Sequence, residues 1–183
     1  TLSRIMLDPD ARALWLFPTK ALAQDQTAAV NDLCADQPDE SRVRVYTYDG
    51  DTPGSIRPSV RTHGQIVITN PDMLHSGILP NHPKWSKIFQ GPAVVVIDEM
   101  HNYRGVFGSH LANLLRRLKR IAAFYGAHPA FVLSTATIGN PQELARLLVG
   151  DDVAPVSENG APSATTLFVA RTPSSPAISC GSE

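Results

Sequence analysis

At 183 residues the chain is long enough for one sizeable core and too short for two ordinary domains. A hydrophobic fraction of 43% and a charged fraction of 18% describe a soluble globular protein rather than a disordered one. A net charge of -1 singles out no class of partner, because a nucleic-acid footprint would be local. No stretch approaches the roughly 20 apolar residues of a membrane span, and no leader pattern opens the chain. Cys34 and Cys180 form no CxxC pair, so neither a disulfide framework nor a zinc site is expected, and a reducing cytoplasm is the simplest setting. The first residue is Thr1 rather than Met, which reads as a start inside a longer protein.

In chain order, Leu2, Ile5 and Met6 share one helical face and look like the end of a helix, with apolar surface left uncovered around them. The first apolar run, 13–17, reads as a buried strand and is followed by a helix over 21–33. Runs 43–48, 65–69 and 93–97 read as three further strands. The helical period of Leu111, Leu114, Leu115, Leu118, Ile121 and Ala122 predicts a helix from Ser109 to about Phe124, with Gly126 at its C-terminal cap. A fifth strand is expected at 130–134 and a short helix at 141–149, with Asn140 as N-cap and Pro141 in the first turn. The strands are near-continuous rather than alternating, as strands covered on both faces tend to be. Strands alternating with helices predict an α/β fold, a parallel sheet flanked by helices over residues 1–150. From Asp151 the chain turns rich in Pro, Ser, Gly and Ala, with four acids and the single base Arg171. Residues 151–183 therefore read as a poorly ordered, linker-like tail with at most one short strand, over 165–170.

In such a sheet, ligands sit beyond the carboxyl ends of the strands. One of these ends carries Val94-Val95-Val96-Ile97-Asp98-Glu99-Met100-His101. Phosphoryl transfer from ATP needs a carboxylate to hold Mg²⁺, usually through water, and a second group to orient and deprotonate the attacking water. Asp98 and Glu99 fit those two roles, with His101 two residues on. An acidic turn after a strand is common for the DE pair alone, and an aliphatic strand running into DExH is much rarer. Thr19 and Lys20 follow the first strand at a helix start and suit phosphate contact, although an ordinary N-cap would read the same way. Thr69 follows the third strand in the same fashion, and Leu133-Ser134-Thr135-Ala136-Thr137 places hydroxyls after the fifth. A metal-dependent hydrolase built on Asp98, Glu99 and His101 would need further ligands at strand ends, and the sequence offers none.

Taken in order, FPTKALAQDQ, TNPDML, DEMH and TAT resemble four of the five motifs of a superfamily 2 helicase motor domain. The segments YDGDTP and DEMHNYRGVFGSHLANLLRRL are similar to a DNA-repair branch of DExH helicases, and the likeness covers roughly residues 1–150. The resemblance implies a RecA-like fold in which Asp98 holds Mg²⁺ and Glu99 is the general base. It also implies that His101 links the nucleotide side to the nucleic-acid side, and that Thr135 and Thr137 couple hydrolysis to domain movement. Thr19, Lys20 and Thr69 would touch one strand of nucleic acid, most simply single-stranded DNA. Tyr103, Arg104 and Phe107, in the loop after the DExH box, would sense it by stacking and phosphate contact. ATP, Mg²⁺ and a second RecA-like domain of the same protein are the implied partners.

The sequence departs from this pattern in three places. No GxxxxGK[ST] occurs in the 183 residues, so the first strand and P-loop of the fold are missing from them. The expected SAT motif reads Thr135-Ala136-Thr137, which keeps the hydroxyl and adds a methyl. After Gly160 the likeness to a route into a second motor domain ends. The expected function is the motor-domain fragment of an ATP-dependent DNA helicase, inactive when isolated. The alternative is a degenerate domain that binds nucleic acid or protein without hydrolysis.

Overall fold

The computed structural model describes residues 1–38, 42–91 and 94–156. Five parallel strands form one sheet: β1 (Ala13–Leu16), β2 (Val45–Thr47), β3 (Ile66–Thr69), β4 (Val94–Ile97) and β5 (Ala130–Leu133). Their order across the sheet is β2-β3-β1-β4-β5, with Ala13 in register with both Ile66 and Val94, and Ile97 with Leu133. β3 reads IVIT and β4 reads VVVI, and β-branched side chains of this kind pack well on a pleated, enclosed surface.

Alternate side chains enter two separate cores. Ala13, Ile66, Ile68 and Val94 face α1 (Leu2–Leu7) and α2 (Lys20–Leu33), where Ile5, Ala23 and Val30 complete the layer. Leu14, Leu16, Val67, Val95 and Ile97 enter the larger core on the other face. That core is closed by α3 (Arg57–His63), α4 (Pro71–Met73) with the π and 3-10 turns that continue it to Trp85, and α5 (Ser86–Gln90). Beside them lie α6 (Gly105–Phe124) and α7 (Pro141–Val149). The parallel sheet between helical layers is the predicted architecture.

Several expectations need correction. β5 is not covered on both faces: it is the outermost strand, every residue of it is at least partly exposed, and Val132 is 51% exposed. Ile5 is not part of an uncovered surface but is buried among Ala11, Ala13 and Phe17, whereas Met6 and Leu7 stay outside. α6 starts at Gly105, four residues before the predicted Ser109, because two weak helix formers, Gly105 and Gly108, hide its first turn from a propensity reading. The helix start expected after the third strand is α4, whereas α3 and the helical segments from Leu74 to Gln90 have no predicted counterpart; in the latter, prolines 80 and 83 break any 3.6-residue period. Asn140 occupies the N-cap position of α7, yet its amide donates to Glu143 at 2.8 Å and its side chain caps no backbone N–H. Gly126, at φ 79°, lies one position past Tyr125, the C-cap of α6, and the Ala127 N–H closes back on the Ala122 carbonyl at 2.9 Å. Residues 151–156 are irregular, and the predicted strand over 165–170 lies outside the described residues.

Candidate functional site

Asp98 leaves the carboxyl end of β4 while its backbone N–H still donates to the Leu16 carbonyl at 3.0 Å. The β4–β5 register carries one step past Ile97 and Leu133, which sets Ser134 opposite Asp98. The Ser134 hydroxyl donates to Asp98 Oδ1, and Oδ2 has no hydrogen-bond partner among the described residues. A half-buried carboxylate with one oxygen held and one open fits a hard cation reached through water. The pairing continues along the turn, where the Met100 N–H donates to the Ser134 carbonyl at 2.9 Å.

Glu99 sits at φ 52°, ψ 43°, the only non-glycine residue at positive φ among those described. Such a conformation costs about 1–3 kcal/mol and persists where its surroundings enforce it. Here both neighbours are tied down, Asp98 to β1 and Met100 to the β5 end. The kink brings the Glu99 carboxylate to His101 Nε2 at 3.1 Å. On the far side of the ring, the Ala136 N–H donates to Nδ1 at 3.4 Å, and the Thr135 hydroxyl lies 3.5 Å from the same atom. With Nδ1 accepting, Nε2 carries the proton and donates to Glu99. Asp98, Glu99, His101 and Thr135 thus lie together at the ends of β4 and β5. Thr137 is exposed and joins none of these bonds. Ser134, absent from the predicted site, belongs to it.

The loops after β1 and β3 form a second group. Thr19 is the N-cap of α2, its hydroxyl accepting from the Leu22 N–H at 3.3 Å. Lys20 pairs with Asp51 at 2.5 Å, and this hydrogen bond and charge hold its pKa above the ordinary lysine value. Thr69 corrects its assignment as a strand contact. It is only 1% exposed, and its hydroxyl donates to the Tyr48 carbonyl at 2.6 Å, so it anchors the neighbouring loop and offers nothing to a ligand. That loop, residues 48–53, is built around buried Asp49, whose Oδ1 accepts from the Asp51 N–H at 3.0 Å and the Thr52 hydroxyl at 3.1 Å. Arg57 closes it by donating to the Thr52 carbonyl at 2.9 Å while lying over the Tyr48 ring. Asp51 was missed as a member of this group; the similarity of the YDGDTP segment was the only signal for it.

Tyr103 also departs from expectation. Its side chain is fully buried, its hydroxyl has no hydrogen-bond partner among the described residues, and burial, then the Asp98 charge, push its pKa up. It cannot stack on a base from that position. Its ring packs against Phe107 at 5.2 Å, and Phe107 is exposed. Gly108 permits the tight path of this loop, since a Cβ there would lie 2.5 Å from the Tyr103 carbonyl oxygen. Arg104 is exposed at the start of α6 and lines a cavity of about 520 Å³ with Arg116 and Glu143.

The model of the DEAD/DEAH box helicase family matches residues 1–144. A Bacillus subtilis protein named as the uncharacterized ATP-dependent helicase YprA is 54% identical over 168 residues, covering 92% of this chain and 22% of that protein. The ATP-dependent helicase hrq1 of Schizosaccharomyces pombe is 39% identical over 170 residues, with 92% and 16% covered. The crystal structure of the DUF1998 helicase MrfA bound to DNA and AMPPNP superimposes with a TM-score of 0.83 at 54% identity, covering 88% of this chain and 22% of that one. The chain therefore spans about a fifth of the length of these proteins.

Proposed function

The chain belongs to the DEAD/DEAH box helicase family, and from that membership we propose that it is a motor-domain fragment of a cytoplasmic, ATP-driven DNA helicase or translocase that serves in DNA repair. The observation that carries this reading is the pairing of two strand ends, in which Ser134 holds Asp98 while Glu99, His101 and Thr135 form one hydrogen-bonded chain. Mg²⁺·ATP, when bound, supplies the phosphoryl group and the countercharge for its oxygens. Asp98, through its open oxygen, would hold the cation by way of water. Glu99 would take the proton of the attacking water, and the chain from Glu99 through His101 to Thr135 would report that event to the β5 end. A second RecA-like domain of the same protein would read it there. Single-stranded DNA would lie over the loops after β1 and β3, with Lys20 as a phosphate contact and Thr19 presenting the start of α2.

The test is the DNA-stimulated ATPase of the longer protein that contains these residues. Glu99→Gln should lower kcat by about 10²–10⁴, the usual contribution of a general base, with nucleotide binding retained. His101→Ala should keep basal hydrolysis and lose stimulation by DNA. The 183 residues alone, which hold no GxxxxGK[ST], should turn over no ATP above background. A Glu99→Gln protein that hydrolyses at the parental rate would remove the assignment.

A further inference from the structure

At the amino ends of the strands, opposite the site described above, Arg12, Arg42, Arg44, His63 and Lys87 line one cavity of about 410 Å³, and among the described residues its lining contains no carboxylate. Arg12 and Arg44 stand just before β1 and β2, and Lys87 reaches in from α5. The cavity wall is braced by Gln65, which accepts from the Arg44 N–H at 3.0 Å and donates to the Pro9 carbonyl at 3.3 Å. Arg12 donates to the Pro9 and Ala11 carbonyls at 2.8 and 2.9 Å, and Lys87 to the Thr62 carbonyl at 3.2 Å. Carbonyl acceptors fix the geometry of a cation without cancelling its charge.

Three cations outside the cavity are neutralised directly. Lys20, Lys119 and Arg146 each lie against a carboxylate, from Asp51, Asp151 and Asp152 respectively. Among the described residues, no carboxylate lies within ion-pair distance of Arg12, Arg44 or Lys87. Cations gathered in one concavity repel one another and raise the local concentration of anions.

We propose that this cavity is a second nucleic-acid contact, binding the phosphodiester backbone of a segment other than the one at the strand ends. Guanidinium forks and an ammonium suit phosphate oxygens. Among the described residues no aromatic ring lines the cavity to stack a base, so the contact reads charge and not sequence. β1 spans four residues, about 13 Å, which separates Arg12 from the loop that carries Lys20. A strand lying across one end of the sheet therefore reaches the other only by turning back. The inference rests on the nucleic-acid reading above and extends it to a second surface.

The experiment is an anisotropy titration of labelled single-stranded and duplex oligonucleotides against salt, with the 183-residue chain, an Arg44→Gln/Lys87→Gln variant and a Lys20→Ala variant. Arg12 is left in place because it ties two backbone carbonyls. Each lost phosphate contact should lower the slope of log affinity against log salt by about 0.7 for a single strand and about 0.9 for a duplex. The double variant should thus lose roughly 1.4 to 1.8 units, with an unchanged melting midpoint. An unchanged slope in the double variant overturns the second contact. So does competition by inorganic phosphate, or by polyglutamate, that depends on Arg44 and Lys87 while oligonucleotide binding does not. A loss of slope in Lys20→Ala alone leaves the strand-end reading standing and this one refuted. A loss in the double variant alone does the reverse.

Discussion

The two groups of strand-end loops use similar residues for different ends. Between β4 and β5 the polar side chains bind one another across the gap between strands, as Ser134 does Asp98 and His101 does Glu99. Between β1, β2 and β3 most polar side chains are taken up by the backbone of their own or a neighbouring loop, with the Lys20–Asp51 pair as the exception. Thr69 serves the Tyr48 carbonyl, Thr19 the Leu22 N–H, and Asp49 the Asp51 N–H. The first group carries conformational strain, at Glu99, that brings its carboxylate to His101. The second is a scaffold, and what it presents outward is the start of α2 with Lys20 and Asp51. A threonine after a strand is therefore no guide to its role until the acceptor of its hydroxyl is known.

The largest effect that would break this contrast lies in the second group. Thr69→Val keeps the shape and removes the donor, leaving the Tyr48 carbonyl buried and unpaired at a cost of about 1–3 kcal/mol. Thermal unfolding should show it, at about 2–4 °C per kcal/mol for a chain of this size. A variant as stable as the parent would mean that the hydroxyl is free to face a ligand after all.

In the first group the opposite sign is expected. Tyr103→Phe removes a buried hydroxyl that has no partner and leaves the ring contact with Phe107 intact. Stability should hold or rise by up to roughly 1 kcal/mol, because nothing is left unpaired by the change. A clear loss in urea unfolding would reveal an acceptor for that hydroxyl and tie Tyr103 into the Asp98 network.

The smallest effect concerns Lys20. Its pKa is raised by Asp51, so the stabilisation from the pair is fully present below the ordinary lysine value and is lost as pH rises through the higher, folded one. Asp51→Asn should bring the Lys20 titration, followed by NMR at the carbon beside Nζ, back toward 10.5. An unmoved titration would show that the pair does not persist in solution and that Lys20 is available to phosphate without exchanging a partner.

Much of the first group was legible in the residues. A run of Val and Ile ending in Asp98-Glu99 and followed by His101 declares a buried strand delivering carboxylates, and Thr135 after a second such strand declares its neighbour. Ser134 was not legible, because its claim on Asp98 depends on which strands pair and in what register. β4 and β5 are separated by the whole of α6, and no local pattern encodes that distance. Tyr103 and Phe107 show the same limit. Both look like loop aromatics, yet one is wholly buried and the other exposed, a division that appears only in the packed structure.

What the sequence by itself determined is local. Apolar runs of β-branched residues make strands, the spacing of Leu111, Leu114, Leu115 and Leu118 makes α6, and the order of motifs places the chemistry at the carboxyl ends of a parallel sheet. Only the tertiary structure decided which hydroxyl meets Asp98, where the Thr69 hydroxyl is consumed, and that Arg12, Arg44 and Lys87 share one cavity. Arg44 and Lys87 are 43 positions apart in the chain and come together because the parallel register aligns the starts of β1, β3 and β4, while β2 joins β3 alongside. Hydrophobic periodicity is carried by neighbours along the chain, whereas a charge cluster is carried by neighbours across a sheet.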